Sequence, residues 1–572
     1  MTSHAYPAIG DHALLGDLRT CALVAGDGTV DWFCPGRFDA PSVFGALVDA
    51  EHGGAFRVWA NGAVSSAQAY IPDTAVVVTR FTSPDGAVGE VVDFLVPDES
   101  GADEGQTRLF RIVRGVEGTM RFSVFCRPQF EYGLPQAAAV LELEQRGAEY
   151  GAVFRSRQSA LTLFSTVPLI ADDDAVVTRI DLAAGEAAVF LVAACAGPTP
   201  SEWIQHLGHE AERSLAETLA FWLSWVARSG YRGRWPEAVH RSAITLKLLT
   251  HAPTGAIVAG ASASTNTSLS EEIDGHRDWD CRRSWIRDGS FSARALLDLG
   301  YRDEAEAFAR WVTGRLAEGP AAGGEPMCSV YGVDGSSSGQ AQLDVYGAFL
   351  YSLSSTEHLR SPEGQAAVGK MLDWLVENWR RPDEGFWKTR GERRDFIYSR
   401  LMCWAAFEYG LRLAPTHENA GMWAVMAHAA ADEIRAKGWD EKQGAYVRSF
   451  GDQALDASLL MMPVVGFTSS EDPRWHSTLR AIGVGGVGEA GFDFCSLLFH
   501  MAVAGSGDVQ RARQWFSEFL GRAGSTGLFG GEMANEGEQL GGFPQALTHL
   551  GVIWAAMALD AELDRAGSGV RG

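Results

Sequence analysis

The spacing of apolar positions along the 572 residues changes period once, near residue 200. Before it, apolar side chains alternate with polar ones in short runs. Ala75-Val76-Val77-Val78-Thr79-Arg80-Phe81 is rich in β-branched residues, Ser83-Pro84-Asp85-Gly86 follows, and Gly89-Glu90-Val91-Val92-Asp93-Phe94-Leu95 resumes the run. Proline fixes φ and glycine accepts a positive φ, so this reads as a hairpin. Further strands are expected at 109–114, 120–127, 152–157, 161–165 and 187–194. Short strands at regular spacing predict a β-sandwich over residues 1–198.

Residues 201–230 place Trp203, Leu207, Leu215, Leu219, Trp222 and Trp225 at helical spacing. This segment is expected to be a helical linker, taken as 199–234. From 235 to 572 the period stays helical. Twelve helices are expected near 237–250, 288–299, 303–317, 341–357, 363–379, 396–413, 418–437, 454–463, 471–482, 492–504, 507–523 and 543–562. Asp303-Glu304 opens one helix, Gly300 closes another, and Pro473 and Pro544 are expected in first turns. Twelve helices without intervening strands form six hairpins, and an (α/α)6 barrel is their natural closure. The segments 454–463 and 492–504 are apolar nearly all round, as inner-ring helices would be. An open solenoid is the alternative, but the sequence carries no repeat to support it. The fold class is therefore multidomain β plus α: sandwich, helical linker, (α/α)6 barrel.

Composition narrows the functions. Net charge is −24, with no basic run, which argues against nucleic acid. The eight cysteines are scattered without a CxxC pair, which fits reduced thiols better than a zinc site or disulfide framework. The start of the chain shows no signal peptide and no apolar run long enough to span a membrane, so a cytoplasmic location is expected. The 18 Trp offer flat apolar faces on which sugar C–H faces stack, although core packing explains a single Trp more simply.

Residues 268–288 interleave acidic and basic side chains with Trp279 and Trp285, with no amphipathic period. Trp285, Arg287 and Asp288 would offer a sugar a stacking face, a donor and an acceptor. An ion-pair network stapling a long loop explains the same residue types equally well.

The chain resembles the bacterial glucoamylase/trehalase-type glycoside hydrolases of family 15. The resemblance starts at Ile9-Gly10-Asp11-His12-Ala13-Leu14-Leu15-Gly16-Asp17-Leu18-Arg19-Thr20, Asp27-Gly28-Thr29-Val30-Asp31-Trp32 and Arg37-Phe38-Asp39-Ala40-Pro41. It continues through Arg127-Pro128-Gln129-Phe130-Glu131-Tyr132-Gly133, Trp285-Ile286-Arg287-Asp288, Gln342-Leu343-Asp344-Val345-Tyr346-Gly347, Leu455-Asp456-Ala457-Ser458 and Gly542-Phe543-Pro544-Gln545-Ala546. It implies the same three-part architecture. It also implies inverting hydrolysis of an α-glucosyl substrate such as trehalose or an α-gluco-oligosaccharide, with no metal and no cofactor. The expected partner is a small carbohydrate or glycoside, not nucleic acid or membrane, with assembly into a homo-oligomer left open. Trp285, Arg287, Asp288, Asp344 and Trp387 become the substrate-binding candidates.

Inversion needs two carboxyl groups: one protonates the leaving oxygen, the other activates water on the opposite face. The family's acid is the Glu of a Gly-x-Trp-Glu-x-Arg-Gly segment. Here Gly385-Phe386-Trp387-Lys388-Thr389-Arg390-Gly391 carries Lys388 in its place. An ammonium, with an ordinary pKa of about 10.4, is a poor acid toward an alkoxide. Glu384 and Glu392 are nearby substitutes without the family spacing. The base precedes Phe543-Pro544-Gln545; allowing a two-residue deletion, it is Glu532, after Gly530-Gly531. The segment 336–341 is shorter than in relatives, which would remodel the aglycone side. The catalytic candidates are thus Glu532 and Lys388. The alternatives are a repurposed sugar site, with Lys388 serving an anionic or activated glycoside in lysis, cyclisation or transfer, and a non-catalytic carbohydrate-binding relative.

Overall fold

The computed structural model describes residues 7–99, 106–195, 197–262, 280–317, 324–337, 342–386, 393–484, 493–534 and 537–569. Its first part is two packed antiparallel sheets. The strands are β1 (His12–Gly16), β2 (Cys21–Ala25), β3 (Thr29–Phe33), β4 (Ala55–Ala60), β5 (Ser65–Tyr70), β6 (Val77–Thr82), β7 (Val88–Leu95), β8 (Thr107–Glu117), β9 (Thr119–Arg127), β10 (Val140–Arg146), β11 (Glu149–Arg155), β12 (Ala160–Ser165), β13 (Ile170–Asp172), β14 (Ala175–Ala183) and β15 (Ala187–Cys195). One sheet runs β1-β2-β3-β4-β9-β14-β13, the other β10-β11-β12-β15-β8-β7-β6-β5. β4 shows why this sequence makes a two-layer structure: Phe56, Val58 and Ala60 face inward, while Arg57 and Trp59 stay partly exposed. The inward residues of both sheets form one apolar layer, with Phe33, Phe44, Phe56, Phe122, Phe154 and Phe190 at its centre.

The expected hairpin is β6–β7, paired in register from Val77↔Asp93 to Thr82↔Val88. Eight strands escaped the sequence reading: β1 to β5, β10, β13 and β14. β5 explains one kind of miss, because its Ser65-Ser66-Ala67 half is exposed and carries no alternation.

The linker helix α1 (Leu207–Val226) packs Leu207 and Ala211 against the outer face of the second sheet, on Val76, Phe110 and Leu191. Its far end enters the helical core, where Trp225 stacks on Tyr301 at 3.9 Å.

The helices that follow are α2 (Pro236–Leu248), α3 (Ile286–Asp298), α4 (Arg302–Ala317), α5 (Asp344–Leu353), α6 (Glu357–Arg360), α7 (Pro362–Asn378), α8 (Ile397–Leu413), α9 (Ala420–Lys437), α10 (Met461–Val464), α11 (Pro473–Val484), α12 (Asp493–Gly505), α13 (Val509–Leu520) and α14 (Ala546–Gly569). All twelve expected helical segments are present, and α6 is an added single turn. The inner ring closes: α3 packs on α5, α5 on α8, α8 on the 3-10 turn Ala457–Leu460 ahead of α10, that turn on α12, α12 on α14, and α14 on α3. The alternating helices α2, α4, α7, α9, α11 and α13 lie outside. Sequence dictates the layers. Every residue of α5 is buried. In α9 only Trp423, Ala427, Ala430, Ala431 and Ile434 are, a single stripe at helical spacing.

Two helix expectations need correction. The segment 454–463 is a 3-10 turn followed by a four-residue helix. Pro463 has no N–H to give the Leu459 carbonyl, so a continuous α-helix cannot form there. Pro544 does not sit in a first turn. Gln545 makes an isolated β-bridge with Gly260, and α14 starts only at Ala546. The last helix is long and apolar enough to cross a membrane, yet 72 % of its apolar window is buried inside the ring.

Sandwich and barrel share one apolar core: Leu14, Leu18, Trp32 and Phe38 belong to the same cluster as the ring helices. The Trp32 indole N–H donates to the Ala261 carbonyl at 2.9 Å, and Ala252 N–H to the Leu18 carbonyl at 2.8 Å.

Candidate functional site

Because inner and outer helices alternate along the chain, the inner ones all run in one direction. Their N-termini meet at one mouth of the ring. Acidic side chains stand there: Asp288 and Asp344 in the first turns of α3 and α5, Asp456 capping the Ala457–Leu460 turn, and Asp493 opening α12. Carboxylates are favoured at helix N-termini, where unpaired N–H groups leave a partial positive charge.

Arg287 organises this mouth. Its guanidinium donates to Asp288 at 2.9 Å, to Asp344 at 3.2 Å and to the Phe386 carbonyl at 3.1 Å. The same group lies over the Phe386 ring, 4.0 Å from its centroid. Phe386 in turn meets Tyr398 edge-on and stacks with Phe494, so residues of α8 and α12 complete the setting. Asp344 is wholly buried, and among the described residues its Oδ1 has no hydrogen-bond partner. Burial pushes its pKa up to about 6, despite Arg287 beside it, with Asp383 and Asp288 adding like charge. Three of the predicted binding residues, Arg287, Asp288 and Asp344, are therefore brought into one ion-paired cluster. Trp285 stands half-buried at the N-cap of α3, on a two-residue strand paired with Val330–Tyr331.

Glu532 lies on a separate hairpin, Glu532–Met533 against Gln539–Leu540, and is 2 % exposed. The hairpin is stapled to the ring from several sides. Gly530 N–H donates to Gln539 Oε1 at 2.6 Å, Thr548 Oγ1 to the Gly530 carbonyl at 2.8 Å, and Asp493 N–H to the Gly531 carbonyl at 3.1 Å. Gly530 is required by close approach, since a Cβ there would sit 2.8 Å from the Leu540 carbonyl oxygen. Asp493 follows from the same arrangement. Burial pushes its pKa up to about 7, the Glu532 charge adds to the rise, and Arg522 opposes it. Its Oδ2 is buried and, among the described residues, has no hydrogen-bond partner. Such a carboxyl holds its proton up to near neutrality.

The loop 383–386 is fixed in place. The Asp383 carboxylate accepts from Ser399 Oγ at 2.7 Å, Gly385 N–H at 3.1 Å and Leu343 N–H at 3.2 Å. Gln342 Nε2 donates to the Gly385 carbonyl at 3.0 Å. Two expected site residues, Trp387 and Lys388, follow directly and lie outside the described residues, as does Glu392. Glu384 is half-buried. Among the described residues no group of three or more His, Cys, Asp or Glu is arranged to hold a metal.

Sequence reasoning missed Asp383, Asp493 and Tyr398 as site residues. One signal could have found Asp493: it is the single charge at the start of an otherwise apolar inner helix, as Asp344 is in α5.

Two family models match the chain. Glycosyl hydrolases family 15 covers residues 233–333 and 322–484, and the trehalase-like N-terminal model covers 1–157. A trehalase of Mycolicibacterium smegmatis is 30 % identical, over 99 % of this chain and 93 % of that protein. A trehalase of Thermoplasma volcanium is 26 % identical, over 98 % and 95 %. Among solved structures, a bacterial glucoamylase complexed with acarbose superposes with a TM-score of 0.70 at 11 % identity, covering 98 % of this chain and 96 % of that one, which is a likeness of fold. With one relative 30 % identical along nearly its whole length, both family models in order and a closed ring of paired helices behind the sandwich, the chain belongs to glycosyl hydrolases family 15 and is a glycosidase.

Proposed function

We propose that this chain hydrolyses the α-glucosidic bond of a small glycoside, trehalose or an α-gluco-oligosaccharide, with inversion. The observation that carries the reading is the Arg287–Asp288–Asp344 cluster at the mouth of the ring, with a further buried carboxyl group, that of Glu532, on the stapled hairpin. The trehalase relatives support the α-glucosyl substrate. In this reading Asp288 and Arg287 bind hydroxyls of the non-reducing glucose, and Trp285 gives a ring face. Asp344, which has no exposed surface, holds Arg287 in place. Glu532 takes the proton of the attacking water, the leaving oxygen takes its proton from the Lys388 ammonium, a slow acid by its ordinary pKa, and Asp493 keeps its own proton and spares the Glu532 corner a second negative charge. Trp387 stays a binding candidate by its place in the motif alone. We keep the division at 198 and 234 as the functional one, the ring from 235 onward carrying the chemistry.

Lys388 supports a second reading, in which a substrate with a good leaving group or an anionic group needs no carboxylic acid there. The unaltered chain is to be incubated with trehalose, maltose, isomaltose and α-glucosyl fluoride. Cleavage of one of the three disaccharides supports hydrolysis of natural glycosides. Cleavage of the fluoride alone moves the assignment to the second reading in its good-leaving-group form, and absence of turnover on all four contradicts hydrolysis of any neutral α-glucoside.

A further inference from the structure

We propose that the pocket is completed across the domain junction. On this inference Tyr132, carried by the β-sandwich, forms the outer wall on which the leaving-group sugar packs. The inference rests on the glycoside reading above and adds to it the residue that selects the aglycone.

The turn after β9 displays this side chain. Glu131, Tyr132 and Gly133 are all left-handed, with φ of 51°, 60° and 79°. Two successive non-glycine residues in that region persist only where the surroundings hold them. Here Phe130 is the anchor, 3 % exposed in the sandwich core, and Gly133 backs so closely on His52 that a Cβ would meet its carbonyl oxygen at 2.3 Å. Gln129 N–H donates to the Val43 carbonyl at 2.8 Å. The result is a phenol that stays 46 % exposed while the aromatic ring two residues earlier is buried.

Arg282 ties Tyr132 to the barrel. Its guanidinium lies 5.8 Å from the Tyr132 ring centroid and 5.5 Å from that of Trp32. It is gripped by Asp280 at 2.8 and 3.0 Å and donates to the Ala40 carbonyl at 3.0 Å. Arg282 stands three residues before Trp285 and five before Arg287, on the segment that delivers α3 to the mouth. Its neighbour Cys281 abuts Gly542, two residues from the hairpin strand Gln539–Leu540 opposite Glu532. A second contact fixes the same junction: Arg37 donates to Asp334 at 2.8 Å, beside the strand Val330–Tyr331 that pairs with Trp285. A half-exposed aromatic ring on a rigid turn, next to the segment bearing the glucose-binding candidates, suits the C–H face of a second sugar.

The test is calorimetric titration of the full chain with glucose and with trehalose, maltose and isomaltose, in a Glu532→Gln background that slows cleavage, with Tyr132 unaltered, Tyr132→Ala and Tyr132→Phe. Tyr132→Ala should weaken the best-bound disaccharide roughly 3–10-fold, the scale of one aromatic contact, while glucose affinity moves less than about twofold. Tyr132→Phe, which keeps the ring, should recover most of the loss. Undiminished disaccharide binding by Tyr132→Ala overturns the inference. So does an equal loss for glucose and disaccharide, which would mean that the turn acts through the fold. Binding of neither glucose nor any disaccharide with Tyr132 unaltered overturns the glycoside reading, and this inference with it.

Discussion

At Arg287 one guanidinium is shared by two buried carboxylates and a backbone carbonyl, and it is 5 % exposed. Removing the cation would leave Asp288 and Asp344 facing each other without compensation. Arg287→Met is therefore expected to cost about 3–5 kcal/mol in denaturant unfolding, the range for breaking a buried ion pair from one side. Asp493 gives a signed pH effect. Its folded pKa of about 7 lies above its ordinary value of 3.8, so the native state binds the extra proton between those values. Stability contributed by the neutral form is full below pH 4 and lost as pH rises through 7. Asp493→Asn should thus raise the melting temperature at pH 8 by roughly 1–3 °C, with little change at pH 4. A larger gain at pH 4 than at pH 8 would contradict the assignment. The residues legible in the sequence were those set in motifs, Trp285, Arg287, Asp288 and Asp344. Asp493 was not, because a single polar residue in an apolar run reads as noise until ring closure puts it beside Glu532.

Among elements, α5 and α8 approach closely at Gly347, which lacks a side chain. A Cβ there would lie 2.1 Å from the Met402 carbonyl oxygen. Gly347→Ala is expected to destabilise by roughly 1–3 kcal/mol, the usual cost of overpacking, read from the shift in the urea midpoint. The helices were legible because stripes such as that of α9 repeat over several turns. What the pattern did not carry was termination by local chemistry. Pro463 breaks the segment after Asp456, and the Gly260–Gln545 bridge delays α14. Strands with an exposed half, such as β5, and strands buried on both faces, such as β1 and β2, lack the alternation that marks β6. Their pairing is decided by partners far along the chain, which no local window contains.

Across the whole molecule, the sandwich is part of the same folded body as the ring. The shared core through Trp32, the linker contact of Trp225 with Tyr301 and the junction at Arg282 join the two. The order of sandwich, linker and ring was readable from the change of period alone. Closure was expected from six helical hairpins, and the packing of α14 back on α3 completes it. Lys388 makes its prediction at this scale, because leaving-group protonation couples the ring to the substrate. Lys388→Glu is expected to speed cleavage of trehalose by roughly 10²-fold or more, with little effect on α-glucosyl fluoride, whose leaving group needs no proton donor. Equal effects on both substrates in a coupled glucose assay would contradict that role.

The central claim is that Glu532 directs water at an α-glucosyl carbon with inversion. The most direct test is proton NMR of α-glucosyl fluoride turnover by the unaltered chain and by Glu532→Gln. The account predicts that β-glucose appears first, before mutarotation, and that Glu532→Gln slows its release by roughly 10²–10⁴-fold. Release of α-glucose first, or turnover unchanged by Glu532→Gln, would contradict it.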